Sequence, residues 1–575
     1  MHRSSDSVEL SCCTPNPLHS VMASQLTARP SDPVEADVRP VTAKADLVVL
    51  GRVATGVPGA PEAEGIAVSG GVITGVGSAA DLDALVGPGT EIIKQGDGVI
   101  SPGLIEPHMH IWTTMLVYPW PDLSPISNPT FDDVVATVKA VAEKTPAGGW
   151  VTGKLFDPSL YEGEPDLTRD ILDKVSPDNP VFVLNASMHF AYVNSQALKI
   201  AGIADDAPNP AGGTFERVDG KLTGVLSEGG AITPFLAVVP QPDQQAAAGT
   251  IIQILNDAAK VGITSVREAA TGVVIGTGEP GLLHQLNGMR RLPTRVSTAQ
   301  WALLGADAWK QAGVTPFGGD AMVRTDAWKI VTDGSNQGRS GYFEQPYLEE
   351  NSGGHANMTP EEVLALVNAG LDGGWQLMVH ANGDAAVEFA LEAYESALKG
   401  RAATDLRHRM EHVSFAFPNS FGRMAAIGAS PSFLMNHVYY WGRVFRDVIL
   451  GPERANRLDM VKTAVGAGLR PSLHSDYNVT PFHPLLSAKT AVTRIMKDNN
   501  EVLNPAECVD PETALKAITV DAAWQIHADD RGTLEVGKRA DYAILSDNPW
   551  TADPMSWDAI TCSETRIDGE VAYSA

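Results

Sequence analysis

The chain has 575 residues, which at about 100–200 residues per domain excludes a single small module and leaves room for one large barrel with satellites. Hydrophobic residues make up 44% and charged residues 19%, a globular balance that excludes wholesale disorder, and no apolar run reaches the roughly 18 residues of a membrane span. Lys and Arg total 42 against 69 Asp and Glu, and the formal charge of -27 speaks against nucleic acid or an anionic membrane surface as a partner.

Residues 1–44 mix Ser, Pro, Thr and Asp without an apolar block. They are expected to form a disordered N-terminal extension rather than a signal peptide, with Met22 as an alternative start. Cys12 and Cys13 in that tail and the isolated Cys508 and Cys562 make neither a disulfide framework nor a cysteine zinc site, which fits a reducing, cytoplasmic setting.

Folding signals begin with the β-type run Ala45 to Leu50 and return as a near-copy at Ala540 to Leu545. Short strand signals punctuated by glycine fill the neighbouring stretches, so residues 45–98 and 532–575 are expected to build one small composite β-sandwich. Residues 99–531 alternate short β runs with helical segments, the pattern of parallel βα units. Eight runs are present: Gly98 to His108, Gly262 to Glu268, Thr294 to Gln300, Ala327 to Asp333, Gln376 to His380, His408 to Val413, Ala429 to Phe433 and Arg470 to Asp476. The helix before the fifth run starts in a capping box, Thr359-Pro360-Glu361-Glu362, and stops at Gly373-Gly374. Asp384 is expected to cap the helix after it. The fold class that follows is α/β, a (β/α)8 TIM barrel, typically of about 250 residues. The excess length falls after the first strand, which predicts an inserted subdomain over about 115–250, with a strand at Pro180 to Ala186.

Active sites of such barrels lie at the C-terminal ends of the strands, and there the sequence places a cluster of ligand-type residues. His108 and His110 close the first strand and, two residues apart, face one side of it. Lys329 lies in the fourth run, His380 ends the fifth, His412 the sixth and Asp476 the eighth. An HxH pair or a lone histidine is usually an ordinary strand end or core residue; the coincidence on several strands is what points to a metal. A lysine ammonium has three donors and no acceptor, so Lys329 becomes a ligand only as a carbamate, whose two oxygens suit bridging two ions. His437 and the aromatic run Tyr439-Tyr440-Trp441 follow the seventh strand, and Trp112 follows the HxH. Tyr440, Trp441 and Trp112 are candidate walls for an apolar substrate, with rim packing as the equal alternative. His189 and Glu228 of the insert and Arg339 after the fourth strand are further candidates for substrate contact, and His474 is expected to support the ligands from the strand face of Asp476.

With these motifs the chain from Ala45 onward resembles the metal-dependent amidohydrolase superfamily (amidohydrolase family 3), in the branch that includes N-substituted formamide deformylases. The likeness rests on Pro102 to His110, Lys329 to Ser335, His380 to Ala385, Glu411-His412, Ser475-Asp476 and the closing Gly532 to Asp541. It implies that His108 and His110 hold the more buried ion, His380 and His412 the more exposed one, that Lys329 bridges them as its N6-carboxylated form, and that Asp476 binds metal and shuttles the proton. The implied cofactor is a divalent metal, two zinc ions by ligand type, although relatives keeping four of these ligands hold one. The implied reaction is cleavage of a C–N bond in an amide-like small molecule by metal-activated hydroxide, with His437 steadying the oxyanion. The acidic chain and the aromatic run favour a neutral or cationic amide. A cyclic amide, ester or phosphoester hydrolase and a deaminase remain alternatives; deaminating relatives often carry Glu three residues after the fifth-strand His, where this chain has Gly383. A non-catalytic binding relative is the alternative from another class, against which all six ligand positions are filled. A homodimer is left open.

Overall fold

The computed structural model describes residues 44–60, 62–161, 163, 166–402 and 404–575; the expected extension lies outside them except for Lys44. A seven-stranded sheet draws on both chain ends. Leu47–Ala54 pairs antiparallel with Glu62–Ser69 and parallel with Glu91–Pro102, which pairs antiparallel with Tyr542–Leu545. Because strand side chains alternate, Leu47, Val49 and Val53 enter one apolar core with Ile66, Val68, Tyr542 and Ile544, and Val48 enters another with Ala67 and Leu82.

The central strands are β1 (Leu104–Met109), β2 (Ile263–Thr271), β3 (Arg295–Trp301), β4 (Val323–Val331), β5 (Gln376–Ala381), β6 (His408–His412), β7 (Ala429–Phe433) and β8 (Ser472–Leu473). Each pairs in parallel with the next. The ring nearly closes between β8 and β1: Met109 bridges to Tyr477, the His110 amide donates to the Tyr477 carbonyl at 2.8 Å, and Glu106 accepts from the Ser475 hydroxyl at 2.7 Å. With helices between its strands this is the (β/α)8 barrel expected. All nine residues of β2 and all six of β5 are buried, so the barrel interior is filled by side chains.

The expected first run, Gly98 to His108, is two strands. The chain leaves the end sheet at Pro102 and enters the barrel at Leu104, with the Gly103 amide donating to the Asp541 carbonyl at 3.0 Å and that of Leu104 to Gly262 at 2.9 Å. A Cβ on Gly103 would stand 2.2 Å from Thr264 Oγ1, so this crossing requires glycine. The capping box forms as read, Thr359 with Glu362 at the start of the helix Pro360–Asp372. Asp384 does not cap the helix Asp384–Leu398: Gly383 holds that position, and the Asp384 carboxylate instead accepts the Glu344 amide at 2.9 Å and Arg457 at 2.7 Å.

Residues Leu116–Asp243 form a compact unit of their own. Its five-stranded sheet runs in the order Val151–Phe156, Val181–Asn185, Phe190–Val193, Lys221–Ser227, Thr214–Val218. Phe131, Val134 and Val138 of the helix Phe131–Lys144 pack on this sheet with Phe156, Val183 and Tyr192. Among the described residues no helix is long and apolar enough to cross a membrane.

Candidate metal centre

His108 is fully buried on β1, and its Nδ1 lies 2.5 Å from Glu411 Oε2. Arg409, two residues before Glu411 on β6, clamps the same carboxylate through Nε and Nη2, both at 2.8 Å. A carboxylate held by a guanidinium only accepts, so the His108 proton stays on Nδ1 and Nε2 turns a lone pair to the barrel mouth. That atom is 3.4 Å from Asp476 Oδ1, and His110 Nε2 approaches the same oxygen at 3.2 Å. His412 Nδ1 is 4.0 Å from Asp476 Oδ2. The imidazoles pack against one another, with ring centroids 4.9 Å apart for His108 and His412 and 4.5 Å for His380 and His412.

His108 Nε2, His412 Nδ1 and Asp476 Oδ1 are all buried without a hydrogen bond. A bare imidazole lone pair and a carboxylate oxygen repel at 3.4 Å, and burying such atoms unpaired is costly. A cation among them removes both penalties, and one atom each from His108, His110 and Asp476 lies within the 4.8 Å mutual spacing that a single ion can span. The donor set therefore fits a divalent metal. His108, Glu411 and His474 also cluster, but the direct hydrogen bond between the first two leaves no gap for an ion.

Burial keeps His108 and His412 neutral, the state in which they ligate. It pushes His108 and His412 well below the usual value, aided by the positive field of Lys329 and of the other imidazoles. Burial lowers Lys329 to about 8 against the opposing pull of Glu411 and Asp476. Asp476 is pushed up by burial, but His110, His474 and Lys329 outweigh this and bring its carboxyl down to about 2.

Supporting groups surround the cluster. His380 Nε2 lies 3.3 Å from Asp333, whose carboxylate accepts the backbone amides of Asn382, Gly383 and Tyr342, each at 2.9 Å. Glu268 on β2 accepts the amides of Ile111 and Ala270, tying down the chain after His110. His474 stacks on His108 at 4.6 Å and faces the Ser432 carbonyl. Sequence reasoning gave no role to Glu411, Arg409, Glu268, Asp333 or Glu106, although Glu411, Asp333 and Glu106 lie within the motifs that carry the resemblance. A further signal was Arg409-Met410-Glu411, two charges at period two in a strand whose five residues are all buried.

Of the other residues singled out, His437 lies buried at the start of the helix Asn436–Val444, with Trp441 edge-on at 5.7 Å. Trp441 and Trp112 are buried, and Tyr440, partly buried, lies under the ammonium of Lys497 at 5.3 Å. Arg339 pairs with Glu350 at 2.5 Å. His189 and Glu228 pair with each other at 2.8 Å within the unit Leu116–Asp243.

A model of the amidohydrolase family matches residues 95–573. The chain is 28% identical to the N-substituted formamide deformylase of Arthrobacter pascens, over 89% of this chain and 95% of that protein. It is likewise 28% identical to Protein LONG AFTER FAR-RED 3 of Arabidopsis thaliana, over 92% of each. An uncharacterized metal-dependent hydrolase from Pyrococcus horikoshii superposes with a TM-score of 0.69 at 20% identity, covering 88% of this chain and 99% of that one, a likeness of fold. With a family match spanning most of the sequence and this donor set at the barrel mouth, the chain belongs to the amidohydrolase family and is a metal-dependent enzyme that hydrolyses amide-type carbon–nitrogen bonds other than peptide bonds.

Proposed function

We propose that the enzyme hydrolyses a small neutral or cationic amide bearing an apolar group, releasing an amine and a carboxylic acid. The observation that carries this reading is the convergence of His108 Nε2 and His110 Nε2 on Asp476 Oδ1, with no hydrogen bond satisfying the first or the last. His108, His110 and Asp476 would hold one ion, His380 and His412 a second, and Lys329, carboxylated on Nζ, would bridge two zinc ions. When bound, such cations supply Lewis acidity, which polarises a carbonyl and makes water acidic near neutral pH.

The protein groups do the rest. Glu411 fixes the His108 tautomer, and Arg409 fixes Glu411. Asp333 holds the backbone beside His380 through the amides of Asn382 and Gly383, and the Asn382 side-chain NH2 donates to His380 Nε2 at 3.1 Å. Asp476 is ionised at neutral pH; it accepts the proton of the attacking water and returns it to the departing nitrogen, which leaves as a neutral amine rather than an amide anion.

The likeness to the deformylase makes an N-substituted formamide the first substrate to test. Enzyme reconstituted with zinc and bicarbonate is offered formyl and acetyl amides, lactams, esters, phosphoesters and aminopurines, and products are identified by mass. Amine plus acid from the open-chain amides, abolished in Asp476→Asn, is the expected result; turnover confined to another class would overturn the reading.

A further inference from the structure

His437 is buried in the first turn of the helix that follows β7, and its Nδ1 meets Ser414, two residues after His412 at the end of β6. A neutral imidazole carries one N–H, and its partners decide on which nitrogen. Three hydrogen bonds settle this for His437. The amide nitrogen of Asn382 lies 2.9 Å from the Gly334 carbonyl, a group that only accepts; the opposite orientation of that amide would set two carbonyl oxygens at this distance. Asn382 Oδ1 therefore faces Ser414, whose Oγ lies 2.9 Å away. An amide oxygen only accepts, so the single hydroxyl hydrogen of Ser414 is committed to it. Ser414 Oγ, 3.1 Å from His437 Nδ1, has only a lone pair left for the ring, and the imidazole must donate.

We infer that Ser414 and Asn382 hold His437 as its Nδ1–H tautomer, so that Nε2 meets the substrate as a hydrogen-bond acceptor and selects amides that keep an N–H on the scissile nitrogen. The selectivity rests on the amide reading above; the tautomer does not. Burial, which lowers His437 to about 4, keeps the ring neutral and supports the assignment. The donor role toward an oxyanion expected from the sequence requires a hydrogen on Nε2, which this tautomer lacks. His437 thus touches substrate, while Ser414 and Asn382 are positioning residues that act through it. A secondary amide gives Nε2 a donor, whereas its N-methyl analogue leaves a buried acceptor unpaired, a discrimination on the order of 10- to 100-fold.

Two measurements test this. Long-range ¹H–¹⁵N correlation on ¹⁵N-histidine-labelled holoenzyme, with the His437 signals assigned by their loss in His437→Gln, reads the tautomer directly. A protonated Nδ1 and bare Nε2 are expected, shifting toward the other tautomer in Ser414→Ala; a protonated Nε2 in the wild-type enzyme would overturn the inference, and this spectrum needs no variant beyond the assignment control. Kinetics on a matched secondary and N-methyl amide should show a kcat/KM preference for the former that shrinks in Ser414→Ala and survives in Ser414→Thr, which keeps the hydroxyl. Equal turnover of the pair by a wild-type enzyme with bare Nε2 would refute the selectivity. No turnover of either amide, with the same spectrum, would fault the amide reading and leave the tautomer standing.

Discussion

Glu411→Gln removes a charge without changing shape, in a group where His108, Arg409 and Glu411 are all inaccessible to solvent. In the native arrangement the carboxylate takes one hydrogen bond from His108 Nδ1 at 2.5 Å and two from Arg409 at 2.8 Å. The substitution leaves the Arg409 guanidinium buried without its counter-charge, keeping the Pro107 carbonyl at 3.1 Å and one glutamine oxygen. Breaking a buried pair in this way costs about 3–5 kcal/mol, and the surviving acceptors put the expected loss near the lower end, about 3 kcal/mol. The second effect is on the metal. An amide no longer insists on a proton at Nδ1, so the His108 Nε2 lone pair is held less often toward the site, and loss of such a partner lowers metal affinity by about 10–100-fold. Urea unfolding of metal-free protein reads the first effect, and titration of zinc against a competing chelator reads the second. Pairing Glu411→Gln with Arg409→Met separates them: with no orphaned charge, stability should recover in part while affinity stays low. A single variant as stable as wild type and binding zinc as tightly would refute the argument that this triad orients the ligand.

Three further outcomes follow from the same structure. Gly103→Ala forces a Cβ to within 2.2 Å of Thr264 Oγ1 and should cost about 1–3 kcal/mol in unfolding free energy; an unchanged denaturation midpoint would mean the crossing has slack. His408 accepts the Leu377 amide on Nδ1 at 3.1 Å, and burial lowers it to about 4. Its folded value lies below the unfolded one near 6.5, so between the two the unfolded chain binds the extra proton. Metal-free protein should therefore lose stability as the pH falls from 6.5 toward 4, by about 2 kcal/mol at pH 5 from this residue; His408→Gln should flatten that slope, and parallel wild-type and variant profiles would show the ring is not responsible. Tyr440→Ala should raise KM for aryl amides more than for small aliphatic ones if this partly buried ring contacts substrate, whereas Trp441→Ala, which empties a buried site, should chiefly lower stability; the reverse pattern would exchange the two roles.

The candidate cluster could be proposed from strand periodicity: His108 and His110 lie two residues apart, and His380, His412 and Lys329 fall where strand signals stop or peak. Local rules also found the helix Pro360–Asp372, whose cap is written within four residues. What escaped depends on distant partners. Glu106 holds Ser475 across 369 positions of sequence, and Asp384 meets the helix-capping pattern yet is claimed by Glu344 and Arg457, whose approach no local rule reveals. The crossing at Gly103 read as one continuous strand because the residues on both sides are largely apolar; the partner changes there, from Tyr542–Leu545 before the glycine to β2 after it. β8 spans just Ser472–Leu473, and Asp476, expected at the end of the eighth strand, lies three residues beyond it in left-handed backbone (φ 52°).

The central claim is that His108, His110 and Asp476 hold a divalent cation. Metal analysis of protein stripped with chelator, reconstituted with zinc and bicarbonate and freed of excess ion tests it most directly, alongside His108→Ala and Asp476→Ala prepared in the same way and shown to be folded. The account predicts firmly bound zinc in the wild-type protein and at least one ion fewer in each variant. Wild-type protein that retains none, or folded variants that retain as much as wild type, would contradict it.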